Sequence, residues 1–229
     1  MTRELREIAL DRGDRRSSMW VYKTVRALLR VLVNPWVRTR SVNAEVIDQP
    51  GPLILAPVHR SHLDSALIAT QTERRIRALG KESLFTTPGV SYLCAALGAI
   101  PVRRGAADRD ALSAAKALLE RGEAMIVFPE GTRRTGNDVV DLYDGAAWLA
   151  ARTGAPVVPI GVAGTERALP PGAKRIYRSY VAIACGEPLP APVASNGKKV
   201  NRADMASFTQ ELQARLQDAQ NEAVALAAR

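Results

Sequence analysis

The sequence predicts a single α/β domain with a mixed, mostly parallel sheet flanked by helices, preceded by an N-terminal amphipathic helix. Three observations carry that prediction. Short apolar runs at 53–58, 76–79, 99–102, 125–128 and 157–162 alternate with stretches of helical period at 64–71, 90–97, 108–121 and 144–153. Runs that are apolar at successive positions, rather than every second one, need cover on both faces, which parallel strands joined by helices provide. A length of 229 residues, 47% hydrophobic and 24% charged, suits one globular domain with a short appendage.

Taken in order, residues 1–17 carry closely alternating charges, among them Arg3, Glu4, Arg6, Glu7, Asp11 and Arg12, and read as a loose leader. Over 19–37, Trp20, Val21, Val25, Leu28, Leu29, Leu32, Val33 and Trp36 recur at helical spacing, while Lys23, Arg26 and Arg30 fall three and four apart on a second face. A basic amphipathic helix with tryptophan at both ends suits a membrane interface; packing on the domain's own core is the other reading. Residues 1–40 therefore form a leader and possible membrane-interface anchor, and 41–229 the main domain. The run 175–184 reads as a late, alternating strand near an edge. Pro188, Pro190 and Pro192, followed by Ser195-Asn196-Gly197, form a surface connection. It leads into a helix at 202–228, whose Leu212, Leu216, Ala219, Ala223 and Leu226 lie near one face and cover the core.

The chain carries 32 lysines and arginines against 23 acidic residues, a net charge of +9, which favours anionic partners. Nucleic acid is excluded as the partner: there is no zinc-ligand spacing and no aromatic ribonucleoprotein motif, and aromatic residues make up only 5%. Cys94 and Cys185 lie far apart in apolar stretches, so neither a disulfide framework nor a metal site is expected, and a reducing compartment is. The charged first residues have no apolar core of a signal peptide, and no run approaches the roughly 18 apolar residues of a spanning helix.

Both histidines of the chain fall in Val58-His59-Arg60-Ser61-His62-Leu63-Asp64, at the end of the first apolar run and the entry of a helix. Imidazole can take the proton of an attacking hydroxyl, and a carboxylate on its other nitrogen fixes the tautomer. Asp64 stands where it could fold back on His59, although a turn histidine with a helix-capping aspartate has the same spacing. A second cluster, Phe128-Pro129-Glu130-Gly131-Thr132-Arg133, follows another apolar run. There Gly131 permits close backbone approach, Thr132 offers a hydroxyl and Arg133 a fork that matches phosphate oxygens. Gly98-Ala99-Ile100-Pro101-Val102-Arg103-Arg104-Gly105 sends two arginines out of a third strand end, and Val157-Val158-Pro159-Ile160 is an apolar run able to wall a channel. In sheets of this class ligands gather at the carboxyl ends of strands.

His-x-x-x-x-Asp, a glycine-to-arginine block, Phe-Pro-Glu-Gly-Thr-Arg and Val-Pro-Ile, in this order and at these intervals, resemble the four motifs of the glycerolipid acyltransferase superfamily. The 1-acylglycerol-3-phosphate acyltransferases are the branch they most resemble, over about residues 20–190. The resemblance implies an acyltransferase domain over 41–229 that moves a fatty acyl group from an acyl thioester to a hydroxyl of 1-acylglycerol-3-phosphate. His59 is then the base and Asp64 its orienter. Glu130, Gly131 and Thr132 shape the acceptor site beside Ser61, and Arg104 or Arg103, with Arg133, contacts the acceptor phosphate. Lys81 is similar to a lysine often found near this site, and Val158 and Pro159 wall the acyl channel. No metal or cofactor is implied; the donor is acyl-CoA or acyl carrier protein, and an anionic membrane at the inner face of the cell membrane is the expected partner surface of a cytoplasmic, peripheral protein. Two positions depart from the common pattern: Val58 stands where asparagine is frequent and Pro101 where phenylalanine is common. They leave glycerol 3-phosphate, or another lysolipid or glycolipid, open as the acceptor. A silent lipid-binding adaptor is the reading of another class.

Overall fold

A computed structural model describes residues 2–103, 108–195, 197 and 199–229. The chain opens with α1 (Thr2–Asp14) and α2 (Arg16–Leu28), which continues through a π-helical turn, Leu29–Val33, into α3 (Asn34–Trp36). There follow β1 (Arg40–Val42), β2 (Leu53–Pro57), α4 (Asp64–Ala69), β3 (Ile76–Lys81), α5 (Pro88–Ala96) and β4 (Ala99–Val102). Next come α6 (Arg109–Glu120), β5 (Ala124–Ile126), α7 (Gly145–Thr153), β6 (Val157–Ala163), α8 (Thr165–Ala168), β7 (Ala182–Cys185) and α9 (Arg202–Ala227). One seven-stranded sheet has the order β1-β7-β6-β2-β5-β3-β4, parallel throughout except where β7 runs against β6.

Helices cover both faces, as the uniformly apolar runs require. Along β2, Leu53 and Leu55 pack with Leu67 and Ile68 on one side, while Ile54 and Ala56 pack with Leu118, Leu149 and Leu212 on the other. The helix α9 lies so close to β6 that a Cβ on Gly161 would sit 2.0 Å from the carbonyl oxygen of Ala219, so only glycine admits this contact. Gln220 on the same helix accepts the N–H of Val162 at 2.9 Å, satisfying a buried strand donor.

Three expectations need correction. The leader is a helix, α1: its alternating charges form i,i+4 pairs (Arg3–Glu7, Asp11–Arg15), Ala9 packs with Phe85 and Ala95, and the Arg6 guanidinium reaches the Pro101 carbonyl and Asp108. The boundary at residue 40 falls inside β1, whose Arg40 pairs with Ala182, so the N-terminal segment is woven into the domain. Of the run 175–184 only the last three residues are strand, within β7 (Ala182–Cys185).

The amphipathic helix docks through Tyr22, Arg26 and Arg30, the reverse of the core-packing reading. Arg26 and Arg30 turn inward, donating to the carbonyls of Thr70, Thr72 and Glu73 and to the Glu73 carboxylate, while Tyr22 is buried between Arg26 and Arg75. The apolar row Trp20, Leu28, Val31, Leu32 and Trp36 faces out, with Trp20, Val31 and Leu32 each more than three-fifths exposed at 73%, 70% and 62%. Among the described residues no helix is long and apolar enough to cross a membrane.

Candidate active site

The parallel strands all point their carboxyl ends to one edge, and the histidine, Phe-Pro-Glu-Gly-Thr-Arg and glycine-to-arginine clusters arrive there with Lys81. β2 delivers His59, β5 delivers Phe128 to Arg133, β3 delivers Lys81 and β4 delivers Arg103. Val58 extends the ladder by one bond, its N–H donating to the Ile160 carbonyl at 3.0 Å, after which the chain turns through residues 59–63 into α4.

The turn is built around the Asp64 carboxylate, which is fully buried. Its Oδ2 takes the His59 ring at Nδ1 (2.9 Å) and the N–H groups of Arg60 (2.7 Å) and Ser61 (2.8 Å); its Oδ1 takes the hydroxyl of Thr165 at 2.6 Å. A carboxylate only accepts, so His59 donates from Nδ1 and keeps the lone pair on Nε2. Phe128 stacks on the imidazole with centroids 3.9 Å apart and planes 24° apart, fixing the ring from one face. His59 is therefore oriented on its Asp64 side and along its plane before any ligand binds.

A second tie joins the two principal clusters. The His59 N–H donates to Glu130 Oε2 at 2.7 Å, and Arg60 Nη1 bridges both Glu130 oxygens at 2.9 and 2.7 Å in a pair almost wholly out of water. The His59 carbonyl in turn accepts the N–H of Arg134 at 2.8 Å. Glu130 is thus committed beneath the site, to Arg60 and the His59 N–H. The buried Ser61 hydroxyl donates to the Leu169 carbonyl at 3.2 Å. Val158 and Pro159 are buried within β6, Val158 among the core side chains.

Gly131, Thr132, Arg133, Lys81 and Arg103 are exposed along the edge, as is His62. Gly131 takes a positive φ of 66° with the Tyr143 ring against it, which leaves no room for a side chain. Because β5 and β3 lie between β2 and β4, these cations occupy the stretch of edge on one side of His59. Arg104 lies outside the described residues. Burial pushes the Cys185 thiol up to about 12, aided by Glu45 and Glu222, and raises that of Cys94, so neither offers a thiolate for an acyl-enzyme. Two residues were missed by sequence reasoning: Arg60, which a charge inside the histidine turn signals, and Thr165, whose only signal is its place two residues past β6.

A mostly parallel α/β sheet with a buried His-Asp pair and flanking exposed cations at its carboxyl edge has the parts that a base-assisted transferase or hydrolase would need. The particular family is given by comparison: the Acyltransferase family model matches residues 38–163, and the chain belongs to that family. A chloroplastic 1-acyl-sn-glycerol-3-phosphate acyltransferase of Brassica napus is 29% identical over 127 residues, 55% of this chain and 37% of its own. An Arabidopsis thaliana relative of the same description is 29% identical, with 35% of its length covered, so the chain spans little over a third of these plant relatives. The 1-acyl-sn-glycerol-3-phosphate acyltransferase of Bacillus subtilis is 25% identical over 203 residues, 88% of this chain and 98% of its own. The crystal structure of the 1-acyl-sn-glycerophosphate acyltransferase PlsC from Thermotoga maritima shares the fold, with a TM-score of 0.70 at 23% identity over 97% of this chain and 88% of that one.

Proposed function

We propose that the chain transfers a fatty acyl group from acyl-CoA or acyl carrier protein to the free hydroxyl of 1-acylglycerol-3-phosphate, giving phosphatidic acid. The observation that carries this reading is the His59 ring held by Asp64 through Nδ1, at a strand-end edge studded with exposed cations. Nε2 of His59 takes the proton as the acceptor oxygen attacks the thioester carbonyl. The tetrahedral oxyanion then collapses and expels the carrier thiolate, which the imidazolium reprotonates. Asp64 holds the ring and stabilises its charged form during transfer. Arg133, Lys81 and the Arg103-Arg104 pair bind the acceptor phosphate, for which the guanidinium fork is matched. Neither metal nor cofactor has a role in these steps.

An apolar cavity of about 190 Å³ supports an acyl-chain site: Val25, Leu29, Ala66, Ala69, Leu97 and Ile126 are among its walls, between α2, the sheet and α4, the helix that Asp64 begins. The outward apolar row of α2 and α3 supports peripheral attachment at the inner face of the cell membrane, where a water-insoluble acceptor resides. The test is thiol release from palmitoyl-CoA with a panel of acceptors. Release with 1-acylglycerol-3-phosphate far above that with glycerol 3-phosphate is expected, and the reverse order would replace the proposed acceptor.

A further inference from the structure

Arg26 and Arg30 of the amphipathic helix are turned inward, yet a cationic surface lies where the helix ends. α3 leads into Arg38 and Arg40, and the connection from β6 to β7 carries Lys174, Arg175 and Arg178, all exposed. Among the described residues none of these five has a carboxylate within ion-pair distance. Tyr177 and Tyr180 stand among them, with Arg175 and Arg38 each over a tyrosine ring at 4.8 Å.

Topology fixes where this collar sits. β7 runs against β6, so its first residue, Ala182, pairs with Ala163 at the carboxyl end of β6; β1 is parallel to β7, and Arg40 pairs with Ala182. The collar therefore lies on the same edge as His59, on the side opposite Lys81 and Arg103. Trp36 ties it to the exposed apolar row: its indole N–H donates to the Ile176 carbonyl at 3.2 Å. Apolar row, tyrosines and unpaired cations thus form one continuous surface beside the site.

We propose that this collar binds the anionic headgroups of a phospholipid surface, setting the site edge against the membrane while the apolar row enters the acyl region. The inference rests on the lipid-acceptor reading above and deepens it by naming the headgroup contacts. Charge alone would suit an acidic carrier protein equally; the unbroken apolar and aromatic border is what a bilayer matches, because tyrosine and tryptophan prefer the headgroup level and cations its phosphates.

Sedimentation of the full chain with phosphatidylcholine vesicles, with and without phosphatidylglycerol, tests it against the triple variant Lys174→Ser, Arg175→Ser and Arg178→Ser. The wild type is expected to partition more strongly onto the phosphatidylglycerol vesicles, an increment that salt weakens. The triple variant loses that increment, a fall on the order of 100-fold in partition coefficient, while its binding to phosphatidylcholine alone, its melting temperature and its thiol release with dispersed short-chain substrates stay unchanged. Equal sedimentation of variant and wild type on phosphatidylglycerol vesicles overturns the proposal. Thiol release that falls while vesicle binding holds also overturns it, assigning the cations to the acyl carrier. Absence of acyl transfer in the wild type would sink the enzymatic reading and leave the vesicle result standing.

Discussion

Four donors converge on the Asp64 carboxylate, and three of them come from its own turn. The fourth, Thr165, comes from the far side of β6 and is the only one that anchors Oδ1. Replacing it by valine keeps the shape but leaves a buried acceptor unsatisfied, at a cost of about 1–3 kcal/mol. Asp64 can then rotate away from His59, so Thr165→Val is expected to lower kcat on the order of tenfold with KM unchanged, whereas Thr165→Ser retains most activity. Steady-state kinetics of the two variants decide this; a valine variant with wild-type kcat would show that the backbone donors alone hold Asp64. Glu130 teaches a complementary lesson. Its motif points to a ligand contact, but both its oxygens are spent on Arg60 and the His59 N–H, a partnership between residues 70 positions apart that no local spacing displays.

Ion pairs tie α1 to the rest of the domain. Asp14 at the end of α1 meets Arg77 and Arg121, and Arg6 within α1 meets the buried Asp108. Burial pushes both carboxyls up, but arginine hydrogen bonds at Asp14, and the Arg103 and Ala111 N–H groups with the Arg6 charge at Asp108, hold each below its ordinary value of 3.8. A depressed folded value gives stability that is complete above 3.8 and disappears as the pH falls through the lower folded values. The melting temperature is therefore expected to fall as the pH drops below about 4, and less steeply in an Asp14→Asn, Asp108→Asn double variant. Parallel slopes in the two proteins would remove these pairs from the attachment of α1. The period of α2 was legible in Trp20 to Trp36; its orientation was not, because carbonyls at the end of α4 and the Glu73 side chain draw Arg26 and Arg30 inward. Hydrophobic period shows that a helix has two faces, not which one its neighbours can satisfy.

Across the molecule, the central strands were legible because each is buried on both faces and so apolar at every position, from Leu53 in β2 to Val162 in β6. β1 was not, since its three residues begin with an exposed arginine at the sheet's edge, and the reversal of β7 is set by pairing with β6 rather than by any residue. Val158 and Pro159 are apolar because they lie in the middle of the sheet, while the cavity beside α4 draws its walls from six separate segments. What the topology does assemble is one edge, with His59 between the exposed Arg133, Lys81 and Arg103 on one side and the collar of Arg38, Arg40, Lys174, Arg175 and Arg178 on the other. The reading of that edge turns on proton abstraction by His59. Thiol release from palmitoyl-CoA with 1-acylglycerol-3-phosphate, measured for the wild type and for His59→Ala of equal melting temperature, should fall by roughly 100-fold or more. A variant that turns over like the wild type would contradict it.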